Sequence, residues 1–323
     1  MPGRIRATIK RSLYAAGRSG SILFKDSASD DSTIVLLSSG RSGSTWLGSI
    51  LQQLPGTRVV FEPFHAGKGN PHISEYRYTY LDPSDSQTEL MENLRGIIEG
   101  RRRSIWSEQF NPWYRLLYTR RLVKLVRANL LAPWLFAALP EFKYVFLLRH
   151  PGAVVSSQLN GGWHLSSERL RDQKTLFSAS DLQRFNHFGW PSEGFLSNML
   201  FWTIENEIAL RAAESAGALV VLYEQLCAEP LRELNRIERY LGAELPSLAS
   251  ERLNMASWSS SRELNSLSIE EKLTRWQQRV NPEQLAQMND VLAVSSLARF
   301  YDHTAWPLTT PEVPPAAECG EDR

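Results

Sequence analysis

The stretch TIVLLSSGRSGSTWLGSILQQL, from Thr33 to Leu54, constrains the fold more tightly than any other part of the chain. Thr33 to Ser38 is a near-continuous apolar run of strand length, the pattern of a strand buried on both faces of a parallel sheet. After a short turn, Leu47, Ile50, Leu51 and Leu54 recur at i, i+3, i+4 and i+7, which puts one apolar stripe on a helix. Turns between such a strand and helix hold anions, because turn N–H groups and the helix N-terminus both favour negative charge. A nucleoside-triphosphate loop would read G-x-x-x-x-G-K-[ST]. Here Ser38 stands at its first glycine and Ser44 at its lysine, so the loop predicts a phosphate-bearing ligand of another kind. Arg41 can fold its guanidinium over that phosphate. Ser42, Ser44 and Thr45 add hydroxyl donors, and Gly40 and Gly43 allow close backbone approach.

The alternation continues along the chain. TRVVF (Thr57 to Phe61) follows Pro55-Gly56 as a second strand. YVFLLR (Tyr144 to Arg149) and ALVVLY (Ala218 to Tyr223) read as two more, and LRELNRIERYLG supplies a helix that Gly242 can end. Strands alternating with helices predict an α/β fold, a single P-loop-like domain with a central parallel sheet flanked by helices. Ligands bind such sheets beyond the carboxyl ends of the strands, where Ser38, Phe61, Arg149 and Tyr223 stand. The domain is expected over residues 32–306, between a flexible basic arm at 1–31 and a disordered, proline-rich tail at 307–323. Two stretches, 67–140 and 161–194, read as insertions of helices and loops beside the sheet. The first holds Arg101, Arg102, Arg103, Arg115, Arg120, Arg121, Lys124 and Arg127, which read either as a patch for an acidic glycan or as a solvated helical face.

Composition narrows the class. With 323 residues, 42% hydrophobic and 22% charged, the chain can build an ordinary globular core. A net charge of +1 argues neither for nor against an anionic partner, and no nucleic-acid partner is expected. Cys227 and Cys319 make neither a disulfide framework nor a zinc site. No apolar run reaches the ~18 residues of a membrane span, and the N-terminus lacks the apolar core of a signal peptide. A soluble, cytoplasmic protein is expected.

FLLRHPGAVVSSQLN, from Phe146 to Asn160, is the second candidate anion site. Its strand ends in Arg149, Pro151 suits the first position of a helix, and Ser157 falls on the second turn. Arg149 can grip a phosphate as a bidentate donor with Ser157 beside it. Together with Arg41, the two cradles suit a nucleotide with phosphates on both sides of its ribose. These motifs resemble those of the sulfotransferases that use 3′-phosphoadenosine 5′-phosphosulfate (PAPS). RSGSTWL is similar to their 5′-phosphosulfate loop and LLRHPGAVVSS to their 3′-phosphate motif. LYEQLCAEPLRELNRIERYLG is similar to a later segment whose tyrosine lies near the nucleotide. The resemblance implies PAPS as co-substrate, adenosine 3′,5′-bisphosphate as product, a hydroxyl-bearing acceptor and no metal.

FEPFH, from Phe61 to His65, resembles a segment of the carbohydrate 6-O-sulfotransferases, which favours a carbohydrate or glycoconjugate acceptor and leaves hydroxyls of lipids, natural products and peptide tyrosines open. The protein-tyrosine sulfotransferases carry a catalytic glutamate at this same distance from the loop arginine. The resemblance makes Glu62 the expected base, Arg41 the group that stabilises charge on the phosphosulfate bridge, and His65 the rival base. Trp46 and Tyr223 are expected either to pack on the adenosine or to belong to the core. His150 stands where the family often has Asp or Asn, and is expected to make local hydrogen bonds. SSSRELNSLSIEEKLTRW, from Ser259 to Trp276, resembles the serine-rich loop and [KR]-W pair of the tyrosine-sulfating branch, and brings Ser260, Ser261 and Arg275 into the expected nucleotide site. A sulfuryl group carries less charge than a phosphoryl group, so arginine and backbone N–H groups can stabilise its transfer without a metal ion. Two alternatives stand beside this reading. A kinase with a degenerate loop would bind ATP with Mg²⁺, and a catalytically silent nucleotide-binding member of the fold would transfer to no acceptor.

Overall fold

The protein is described by a computed structural model over residues 24–112, 115–173, 175–176, 183–247 and 267–311. In chain order its first elements are β1 (Lys25–Asp26), β2 (Thr33–Ser38), α1 (Ser44–Leu51), β3 (Thr57–Phe61), α2 (Thr88–Ile98), β4 (Leu117–Tyr118), β5 (Arg120–Val126) and α3 (Ala132–Ala138). Then come β6 (Lys143–Leu148), α4 (Pro151–Asn160), α5 (Ser167–Arg171), α6 (Gly194–Ser215), β7 (Leu219–Leu222), α7 (Tyr223–Ala228), α8 (Pro230–Leu241), α9 (Ile269–Thr274) and α10 (Pro282–Ala293). Gly242 ends α8 in the left-handed conformation, as its place in the sequence predicts.

Five strands form one parallel sheet in the order β3-β5-β2-β6-β7. Alternate residues of each strand point to opposite faces and so sort the core into two layers. Ile34, Leu36, Val145, Leu147 and Val221 meet Leu47 and Ile50 of α1 and Leu234 and Ile237 of α8. Val35, Leu37, Phe146, Leu148 and Val220 face the other way, onto the layer that holds α3, α6 and α10. The chain leaves β2 for β3 on one side, returns to β5, and crosses to β6 on the other side. Winding therefore reverses at β2, and the carboxyl end of that strand opens on the crevice where ligands bind in such sheets. The 22-residue helix α6 is buried on most of its surface, and Asn198, Glu205 and Asn206 on it are enclosed beneath that crevice.

Two expectations need correction. Residues 67–140 do not lie wholly beside the sheet: they contain β5, hydrogen-bonded between β2 and β3. Its sequence RRLVKLV looks too basic for a buried strand, yet Arg121 and Lys124 are both enclosed. Arg121 pairs with Asp26 at 3.1 Å and Lys124 with Glu62 at 2.6 Å. The basic run is therefore not one solvated helical face: Arg121 and Lys124 are enclosed in β5, whereas Arg101 and Arg103 are exposed. Its members are dispersed, with Arg101 paired to Glu99 at the surface.

The expected free arm also does not extend to residue 31. From Phe24 onward the chain is packed, with β1 pairing β4 and Asp26 held against the buried Arg58. Residues 1–23 and 312–323 lie outside the described residues, as do Ser260 and Ser261. Among the described residues no helix is long and apolar enough to cross a membrane.

Candidate active site

The turn from Ser39 to Gly43 links β2 to α1, with the Ser42 N–H donating to the Ser39 carbonyl at 3.4 Å. Its glycines are required by neighbouring aromatic rings. A Cβ on Gly40 would lie 2.3 Å from Cζ3 of Trp163, and one on Gly43 would lie 2.5 Å from Cε2 of Tyr223. Gly43 also sits at φ 92°, where any other residue is strained. Ser42 and Ser44 are buried, Thr45 and Trp46 are half-buried, and Arg41 is exposed at φ 76°. Arg41 Nε donates to Ser157 Oγ on α4 at 3.0 Å.

Arg149, at the end of β6, closes the other side. Its Nη1 donates to the Arg41 carbonyl at 3.3 Å, and its guanidinium carbon stands 4.0 Å from the Tyr223 ring centroid. Its buried Nε has no partner among the described residues. Tyr223 is thus held between Gly43 and Arg149, with Trp46 edge-on at 5.7 Å.

His150 caps α4. Its Nδ1 accepts from the Gly152 N–H at 3.1 Å, so Nε2 carries the proton and donates to the Asp302 carbonyl at 3.0 Å. Burial pushes this imidazole down to about 4, which keeps it neutral. Trp276 stacks on its ring at 4.4 Å. That contact seats the turn Arg275–Gln278 on the start of α4, beside Arg149. The Arg279 guanidinium is held below its ordinary value by burial and then by Arg275, Arg149 and Arg41. Four arginines thus share one field, and among the described residues none of them forms an ion pair with a carboxylate.

The second half of the site is built at the ends of β3 and β5. Glu62, at φ 39°, accepts from Lys124 Nζ at 2.6 Å and from Arg127 Nη1 at 3.0 Å. Burial raises the Glu62 carboxyl, but Lys124 and Arg127 pull it down further, and the net direction is below the ordinary value of 4.5. The carboxylate is therefore ionised and shares its lone pairs with two cations. His65 lies next to it, with Nδ1 2.6 Å from the Ala66 carbonyl and its ring 4.8 Å from Trp106. Burial and then Arg127 hold its imidazole below the ordinary value, so it too is neutral near pH 7 and has Nε2 available as an acceptor.

Trp163 joins the two halves. Its ring covers Gly40, and the Arg127 guanidinium carbon stands 4.8 Å from its centroid. Thr45 of α1 and Lys124 of β5 also line one cavity of about 30 Å³ together with Phe61. The structure brings Arg41, Ser157, Arg149, Tyr223 and Arg275 to one crevice and sets Glu62 and His65 at its edge. Sequence reasoning missed Lys124, Arg127, Trp163 and Arg279 as members of this site. The usable signal was Lys124 itself, since a lone lysine inside an L-V-K-L-V run is a buried charge that requires a partner.

The model of the sulfotransferase family matches residues 33–247, more than half of the chain. The chain belongs to the sulfotransferase family. No curated protein matches the sequence of this sulfotransferase. Among solved structures it is similar to the sulfotransferase domain of the curacin biosynthetic pathway, at 16% identity and TM-score 0.47, covering 84% of this chain and 98% of that one. The sulfotransferase domain of the Synechococcus olefin synthase gives 18% identity and TM-score 0.45, covering 83% and 94%. Mouse sulfotransferase SULT7A1, solved with PAP, gives 15% and 0.40, covering 85% and 88%. Membership rests on the family match and not on these likenesses. Among the described residues no group of three His, Cys, Asp or Glu side chains is placed to hold a metal ion.

Proposed function

We propose that this sulfotransferase moves the sulfuryl group of PAPS to a hydroxyl of a carbohydrate or glycoconjugate, with Glu62 as the base. The observation that carries the reading is the pairing of an ionised, half-buried carboxylate with two cations beside a phosphate loop ringed by arginines. In the reaction the acceptor oxygen bonds to sulfur, the bond from sulfur to the 5′-phosphate breaks, and the acceptor proton goes to Glu62. The products are a sulfated acceptor and adenosine 3′,5′-bisphosphate.

A carboxylate of lowered basicity suits a proton that leaves late, after the new S–O bond has made the acceptor oxygen acidic. Arg41, the loop amides, Ser44 and Thr45 stabilise charge growing on the departing phosphate. Lys124 and Arg127 hold Glu62 in place and keep the sulfuryl side of the crevice positive. Arg149, Ser157 and Arg275 bind the 3′-phosphate, and the hydrogen bond from Arg41 to Ser157 places the two anion cradles side by side. Support for a sugar acceptor comes from the FEPFH segment and from the aromatic rings of Trp106 and Trp163 near Glu62, since flat apolar rings with polar neighbours suit the faces of a sugar.

Calorimetric titration with adenosine 3′,5′-bisphosphate, AMP and ATP–Mg²⁺ tests the donor. The bisphosphate should bind far more tightly than AMP, and equal indifference to all three would overturn the reading. Arg149→Ala should weaken the bisphosphate by about 10- to 100-fold, the usual range for a lost hydrogen bond to a charged group. AMP affinity should change little, and a uniform loss on both ligands would remove Arg149 from the 3′-phosphate site. Transfer of labelled sulfate from PAPS to a polysaccharide, beside peptide tyrosine and lipid hydroxyls, tests the acceptor.

A further inference from the structure

Beneath the phosphate loop lies a polar cluster that the proposed chemistry does not use. Ser39, the first residue after β2, is buried and donates to Glu205 Oε1 at 2.6 Å. Its Oγ also accepts from Asn206 Nδ2 at 2.8 Å and from Asn129 Nδ2 at 3.2 Å. A hydroxyl has one proton to give and two lone pairs, so Ser39 is saturated. Its carbonyl in turn accepts the Ser42 N–H that shapes the turn. About two turns earlier on α6, Asn198 Nδ2 donates to Gln158 Oε1 at 3.0 Å, and Gln158 Nε2 donates to the Gly40 carbonyl at 3.2 Å. Helix α6 thus anchors the loop at two successive residues through side chains that are fully enclosed.

Glu205 is the unusual member. It is 1% exposed, and Oε2 has no hydrogen-bond partner among the described residues. Arg127, the cation that faces it, is engaged with Glu62. A carboxylate there would be a buried charge with one bare oxygen, whereas a carboxylic acid meets only a modest penalty.

We propose that Glu205 is a positioning residue for the phosphate loop, acting through Ser39 and doing so as a neutral acid. The inference rests on the donor reading for its meaning in catalysis, but loop geometry can be tested without any nucleotide. Burial raises the Glu205 carboxyl to about 8, so the neutral form prevails at pH 7 and gives way above that. Tyr78 and Arg127 are the titratable groups that face it, with Glu62 and Lys124 beyond Arg127. Ionisation would place a negative charge behind a loop that must receive an anion, and affinity for the nucleotide should fall.

Hydrogen exchange of the free protein over residues 39–47 provides the first test. At pH 7, Glu205→Ala and Ser39→Ala should each lower protection of these amides by about fivefold or more, the effect of one lost buried hydrogen bond. Glu205→Gln, which keeps a neutral acceptor, should restore it. Unchanged protection in either alanine variant would overturn the proposal. If Glu205→Ala fails to fold, the Ser39→Ala and Glu205→Gln pair decides.

The second test measures adenosine 3′,5′-bisphosphate affinity from pH 6.5 to 9.5. The wild type should lose affinity as the pH passes about 8, while Glu205→Gln should hold a flatter profile. Identical profiles would remove the requirement for a neutral acid. Absence of binding in every variant, with the exchange results as expected, would count against the donor reading and leave the positioning role standing.

Discussion

Glu62→Gln should lower kcat by about 10²- to 10⁴-fold, the range of a lost general base, while the affinity for adenosine 3′,5′-bisphosphate stays near that of the wild type. Glutamine is the informative change because its amide oxygen can still accept from Lys124, which is almost fully enclosed. Alanine would leave that buried ammonium unpaired, at a cost of about 3–5 kcal/mol, and a loss of activity would then be confounded with a loss of fold. The sign of the pH dependence follows from the pairing. The Glu62 carboxyl is lowered below 4.5 in the folded protein, so its ion pairs contribute fully above that value and are lost as the pH falls through the folded value. The acid limb of kcat should therefore lie below the ordinary carboxylate range. A Glu62→Gln variant that turns over at the wild-type rate would remove Glu62 from the mechanism, and His65, neutral with Nε2 free to accept, would take its place.

Which parts of this arrangement could be read from the sequence follows from the range of the interactions. The strands β2, β3, β6 and β7 are apolar runs whose burial is written in their own residues, and the turn after β2 is local chemistry. Gly43 could be recognised as a special position, although its reason is not local: the ring of Tyr223, 180 residues later, occupies the space a Cβ would need. Strand β5 was hidden because its buried charges are neutralised by residues far away in the chain. Arg121 depends on Asp26 and Lys124 on Glu62, and neither pairing can be inferred from the run RRLVKLV alone. The same applies to Glu205, which reads as one more acidic residue on a helix until Ser39 is seen beneath it.

Backbone strain marks the same residues independently. Among the described residues, five that are not glycine adopt positive φ: Arg41, Glu62, Tyr78, Arg127 and, away from the site, Trp190; the Tyr78 N–H donates to the Arg127 carbonyl at 2.8 Å. Non-glycine residues persist in this conformation where the surroundings over-determine them, and they gather at functional sites. Three of these five are groups to which the proposed chemistry assigns charge. At Arg41, whose side chain is exposed, glycine would relieve that strain without leaving a buried charge unpaired.

Arg41 allows that argument to be tested with two measurements of opposite sign. Arg41→Gly should leave the melting temperature unchanged or raise it, because glycine adopts φ 76° without the roughly 1 kcal/mol that a Cβ adds in the left-handed region. The hydrogen bond from Arg41 to Ser157 is at the surface and offsets little of that gain. Turnover should nevertheless fall by about 10²- to 10³-fold, as for the loss of one donor to a developing negative charge. Arg41→Ala should lose as much activity while keeping the strained backbone, and should therefore be less stable than the glycine variant. A glycine variant of wild-type activity would show that the guanidinium is not used, and the strain at residue 41 would then need another cause. If stability instead dropped sharply with glycine, the left-handed backbone would be held by the side chain and not by the loop around it.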